Sequence, residues 1–60
     1  MILKCVWSIS QSNKFSVGNT YICVYTHMFN DKFYYRVLNS EGMLFDVQLD
    51  GSFWKFQLVG

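Results

Sequence analysis

Short apolar runs, interrupted at regular intervals by turn-forming residues, dominate this chain. Turn signals rich in glycine, asparagine, aspartate and serine lie at residues 11–13, 17–19, 30–32, 39–42 and 50–51. Short strands at such spacing are typical of a sandwich or a barrel. The chain has no alanine, the best helix former, and 20% of its residues are aromatic, which favours strands. We therefore expect one all-β domain over residues 1–60.

Five strands are predicted, at residues 2–9, 20–28, 33–38, 43–49 and 52–59. Within most runs apolar and polar residues alternate with period two, so one set of side chains faces the core. In the second run the alternation is blurred, and we expect its aliphatic residues to face inward. The predicted inward residues are Leu3, Cys5, Trp7, Ile9, Ile22, Val24, Met28, Phe33, Tyr35, Val37, Met43, Phe45, Val47, Leu49, Trp54, Phe56 and Leu58, with Phe15 and Val17 tucking a loop onto the core.

The turn signals predict how these strands connect. Asp50-Gly51 is a strong two-residue hairpin signal, so strands two to five are expected to form a meander of consecutive hairpins. A small hydrophobic sheet must also protect its edges, and closing it with strand one removes them. The expected fold is a five-stranded antiparallel SH3-like barrel. The alternative is an open antiparallel sheet completed by homodimerisation.

Charge and cysteine content restrict the class of partner and the cell compartment that the sequence predicts. The net charge of +1 predicts no strong electrostatic partner such as duplex DNA or an acidic membrane surface. The first residues do not resemble a signal peptide, and no apolar run reaches the roughly 18 residues of a membrane span. We expect a cytoplasmic protein in which Cys5 and Cys23 are reduced thiols, a single bridge between them being the alternative.

Catalytic and metal-binding groups are sparse. His27 is the only histidine, and because it lies four residues after Cys23 on one strand, we expect the two to share a face. Four residues along a strand span about 13 Å, too far for proton transfer between them. One histidine, two cysteines and four scattered carboxylates show no spacing typical of a metal site. We expect no enzyme, no metal and no cofactor.

An outward set of aromatic and basic residues remains once the core is assigned. Interfaces between proteins favour aromatic residues, methionine and arginine, which is the composition of this set. We expect it to bind a protein partner or a second copy of the chain. Small barrels also bind single-stranded nucleic acid by stacking bases on exposed rings, which is the alternative, and a structural assembly subunit is a third reading. The predicted site residues are Tyr25, Tyr34, Arg36, Phe53 and Lys55.

Three segments together resemble a known class of protein. Residues 15–21 (FSVGNTY) give an aromatic-x-x-Gly-x-x-Tyr entry, residues 34–42 (YYRVLNSEG) a hairpin ending in glycine, and residues 54–59 (WKFQLV) a closing aromatic strand. The pattern resembles the small SH3-like accessory proteins of tailed bacteriophages. That resemblance implies a phage-encoded inhibitor or modulator of a host protein, such as a defence factor, polymerase or nuclease.

Overall fold

The computed structural model describes residues 1–60 and shows an all-β protein with five antiparallel strands in one open sheet. The strands are β1 (Ile2–Ser8), β2 (Thr20–Phe29), β3 (Lys32–Leu38), β4 (Leu44–Val47) and β5 (Trp54–Leu58). They lie in the order β4-β3-β2-β1-β5. No helix of the length and hydropathy needed to cross a membrane is present.

The position of β5 corrects the predicted meander. β5 pairs with β1 rather than with β4, so the hairpin expected at Asp50-Gly51 is wrong. The segment after β4 is joined to β5 by an isolated bridge between Asp50 and Lys55 and by backbone hydrogen bonds from Phe56 N to Leu49 O and from Gly51 N to Trp54 O. A pairing partner distant in sequence, β1, outcompetes the local turn signal because it aligns Cys5 with Phe56, both of which are buried.

Phe15 lies at the centre of the core, whereas the sequence predicted only that it tucks a loop onto the core. It lies in the connection between β1 and β2 and is only 2% exposed. Edge-to-face contacts join it to four other rings, with centroids 4.9 to 5.5 Å apart. These rings belong to Tyr21, Phe45, Trp54 and Phe56. Val17, expected to join Phe15 in the core, is instead exposed.

The inward face of β2 is the largest error of the sequence prediction. Tyr21 and Cys23 are buried, whereas the aliphatic side chain of Ile22 is 55% exposed. Paired residues of a sheet point to the same side, and Tyr21 pairs with Leu3 while Cys23 pairs with Val37. Since Leu3 and Val37 are completely buried, their partners are buried too. Pairing therefore decides the face, and hydrophobicity does not.

Two β-bulges bend the sheet. In β2 the extra residue is Val24, because Cys23 lies opposite Val37 while Tyr25 lies opposite the next residue, Arg36. In β1 the register shifts between Cys5 and Trp7. A bulge reverses the alternation of side chains that follows it. That reversal explains why Trp7, predicted inward, is 42% exposed.

Other predicted inward residues lie where the strands outrun the core. Phe33, Leu58 and Met43, which lies just before β4, are each close to half exposed. Tyr35, Phe45, Leu49 and Trp54 pack against the core from its margin. The core is therefore shorter along the strands than the apolar pattern predicts.

Candidate protein-binding surface

The β2–β3 hairpin extends beyond its neighbouring strands. β1 pairs with β2 only up to Ile22, and β4 pairs with β3 only from Tyr35 onward. Residues 24–34 therefore pair with neither β1 nor β4, and we call them the hairpin tip. Asn30 and Asp31 close it with φ values of 51° and 62°. Positive φ at both central residues is the mark of a type I′ turn, whose twist matches that of the strands.

The hairpin tip carries large side chains that nothing in the chain covers. Met28 and Phe29 are each 61% exposed, and Tyr25 is 56% exposed. Tyr25, His27 and Phe29 share the outer face, which is the side of the sheet opposite Leu3 and Val37. The ring of Tyr34 stacks on His27 with 5.7 Å between centroids. The tip is thus an aromatic surface held on a two-stranded support.

One carboxylate links this surface to β4. Asp46 accepts hydrogen bonds from His27 Nε2 at 3.0 Å and from Arg36 Nη1 at 2.9 Å. An ionised carboxylate only accepts, so the histidine nitrogen donates. The bond from His27 is the main cause that lowers the pKa of Asp46 below its ordinary value; partial burial opposes it, and Arg36 adds to the lowering.

Three of the five predicted site residues meet on this surface. Tyr25 and Arg36 are paired across β2 and β3, and Tyr34 lies next along the same face. Arg36 is less free than the sequence suggests, because Asp46 holds Nη1 and Nε is buried without a hydrogen-bond partner. The sequence analysis did not include Asp46 or His27 in the surface. Asp46 lies on another strand, and a carboxylate there leaves no local signal.

The other two predicted residues lie elsewhere. Phe53 is 58% exposed and shares with Tyr34 a shallow cleft beside the end of β4. Lys55 is paired with Trp7 on β1, its Nζ 5.7 Å from the ring centroid, and forms an ion pair with Asp50. Phe53 therefore borders the surface through the cleft, whereas Lys55 belongs to the β1–β5 side of the sheet.

The cysteines are free and far apart. Cys5 N donates to Asn19 O while Cys23 N donates to Met1 O, so four residue steps of β1 separate the two thiols. Four steps amount to about 13 Å, well beyond the reach of a disulfide. Burial raises the pKa of the Cys5 thiol, although the hydrogen bond to Trp7 O partly opposes the shift. No three metal-ligating side chains gather anywhere in the structure.

Comparison with known proteins adds no relative. Family models, curated proteins and solved structures all lack a match to this chain.

Proposed function

We propose that the protein is a non-enzymatic binding module that docks a protein partner on the outer face of the hairpin tip. The observation that carries the proposal is the exposure of Tyr25 and Phe29, each more than half accessible on the outer face, on a segment that no third strand covers. Keeping large apolar side chains in water forgoes their burial energy, about 1.5–3 kcal/mol for a fully buried one. Clustered exposure of this kind marks interaction sites.

The charge balance of the surface suits a protein partner. Arg36 is neutralised by Asp46, so docking need not strip water from an unpaired cation. The stacked pair of Tyr34 and His27 supplies flat area with few rotatable bonds. Rigid aromatic residues around a fixed arginine are the usual composition of interface hot spots.

A non-enzymatic role agrees with the position of the one histidine. His27 contacts Asp46, Tyr25 and Tyr34, all on the outer face. Cys23 is buried on the opposite side of the sheet, so it supplies no nucleophile to that histidine.

The partner class and the finer fold class are parts of the same proposal. The resemblance to phage accessory proteins supports a host protein, bound and modulated in the host cytoplasm. An SH3-like curl of the sheet is supported by the bulges in β1 and β2 and by the isolated Asp50–Lys55 bridge near the two sheet edges. Bulges increase local twist and bend strands toward closure.

The test is a double substitution in the hairpin tip, Tyr25→Ala with Phe29→Ala. A protein captured from host lysate by the wild-type chain is identified, purified and titrated. We expect the double variant to bind it on the order of 100-fold more weakly, because two ring contacts are lost. Both side chains are exposed, so the urea midpoint of unfolding should stay close to that of wild type.

Matched controls define the edges of the surface. Val17→Ala changes a side chain that is 59% exposed outside the tip and should leave affinity unchanged. Phe53→Ala should weaken binding modestly, and Lys55→Ala should not. Equal affinity of wild type and the double variant contradicts the proposal. Capture of single-stranded nucleic acid that weakens steeply with salt supports the nucleic-acid alternative instead.

A further inference from the structure

One side of β2 changes from paired to unpaired at the bulge. Up to Cys23 that side faces β1, with Leu3 opposite Tyr21 and Cys23 N bonded to Met1 O at 3.0 Å. From Val24 to Phe29 no strand of the chain lies there, because β2 pairs only with β3. An unpaired strand edge is a template for another strand.

The turn fixes which backbone groups point outward along this edge. The two-residue turn joins Phe29 to Lys32, which pair across β2 and β3. The residues flanking such a turn exchange both of their hydrogen bonds, and hydrogen-bonded pairs then alternate along the ladder. His27 and Tyr25 therefore bond to β3. Thr26 and Met28 direct their N–H and C=O groups to the unpaired side.

We propose that this edge pairs antiparallel with the same edge of a second copy of the chain, about a two-fold axis at His27. In that register Thr26 lies opposite Met28 of the second copy, and Met28 opposite Thr26 of the second copy. Each pair exchanges two bonds, so two residues from each chain satisfy four outward donors and four outward acceptors. The edge is its own complement, as a two-fold interface requires.

The side chains fit the same register. On the outer face Tyr25 lies opposite Phe29 of the second copy. The two-fold axis generates a second, identical pair. Both side chains are more than half exposed in the single chain. Residues 24–29 carry no lysine, arginine, carboxylate or proline. Those are the residues that normally keep edge strands apart.

The two outermost strands of the sheet lack these properties. β4 is only four residues long and carries Asp46, which is held by His27 and Arg36. β5 carries Lys55, and Leu49 O already accepts the Phe56 amide on its outer side. Short, charged or covered edges resist further pairing. The bulged half of β2 is therefore the favoured edge.

The dimer is held through the backbone edge, and Met28→Lys alters that edge without changing Tyr25 or Phe29, so its outcome is distinguishable from that of the partner-docking test. The test is sedimentation velocity of the full chain up to millimolar concentration, with Met28→Lys as the main variant. Wild type is expected to show a reversible monomer–dimer equilibrium, and Met28→Lys to raise the dimer Kd at least about 10-fold by placing charge at the edge.

Two further variants keep the test decisive. Thr26→Pro removes an outward N–H without touching the β2–β3 ladder, and it should weaken the dimer similarly if circular dichroism shows the fold retained. Leu58→Lys makes the same change as Met28→Lys at a side chain 50% exposed on β5, and should leave Kd unchanged. A monomer at all concentrations overturns the inference. So does a dimer that Leu58→Lys dissociates and Met28→Lys does not.

Discussion

The two halves of β2 have opposite environments although they belong to one strand. From Thr20 to Ile22 the strand pairs with β1, Ile22 and Cys23 pair with β3, and Tyr21 and Cys23 are buried. From Val24 to Phe29 it has β3 alone, and its rings are exposed. The bulge at Val24 separates the halves. Residues of similar hydrophobicity are thus buried in the core before the bulge and exposed on a surface after it.

This contrast explains why so hydrophobic a chain has a small core. Only eight apolar residues are buried, and Phe15 is one of them. A chain of sixty residues has little stability to spare, about 3–9 kcal/mol at the usual value per residue. Apolar side chains placed on the hairpin tip therefore contribute little to folding, and we attribute them to binding.

The largest expected effect compares two phenylalanines, one in each region. Phe15→Ala removes the ring at the centre of the core and should lower the free energy of unfolding by about 3–5 kcal/mol. Phe29→Ala removes a ring that is 61% exposed and should change it by no more than about 0.5 kcal/mol. Urea denaturation followed by tryptophan fluorescence measures both. Equal losses of unfolding free energy in the two variants would contradict the distinction between the core and the hairpin tip.

A smaller effect concerns the link between the regions, since Asp46 on β4 holds His27 of the hairpin tip. The fold lowers the pKa of Asp46 below the ordinary 3.8, so it favours the ionised carboxylate. The stabilisation is complete above pH 4 or so and disappears as the pH falls through the lowered pKa. Because the ion pair of Asp46 with His27 is partly exposed, it contributes about 0.2–1 kcal/mol to the free energy of unfolding.

Asp46→Asn tests this link. The variant should lose that small stabilisation at neutral pH, and its unfolding free energy should fall less than that of wild type between about pH 4 and pH 2. Denaturant titrations at matched pH values provide the comparison. Parallel pH profiles for the two proteins would mean that the ion pair contributes nothing to stability.

The sequence predicted the parts of the fold that depend on local signals. Five strands, the turn at residues 30–32 and the burial of Phe15 follow from alternation and turn chemistry. The order of the sheet did not follow, because β5 joins β1 across the length of the chain, and no local pattern encodes that choice. The face of β2 was wrong for the same reason: Leu3 and Val37, distant in sequence, determine it.

The candidate surface was predicted in part. Tyr34 and Arg36 alternate with core residues on β3, so their shared face was accessible from the pattern. Tyr25 was expected outward together with Cys23, which is buried, and it reaches the outer face only because the bulge at Val24 reverses the alternation. Lys55 was grouped with them because β5 was expected beside β4. Once β5 lies beside β1, the same alternation places Lys55 against Trp7. Errors in strand order therefore became errors in the site.

Amide hydrogen exchange along β2 in dilute protein tests most directly whether the hairpin tip stands free of the core. The Tyr21 amide, which faces β1, should exchange only when the core unfolds. The Thr26 and Met28 amides, on the same side beyond the bulge, should exchange at nearly the rate of an unstructured peptide. Slow exchange at Thr26 and Met28, matching that of Tyr21, would contradict the account.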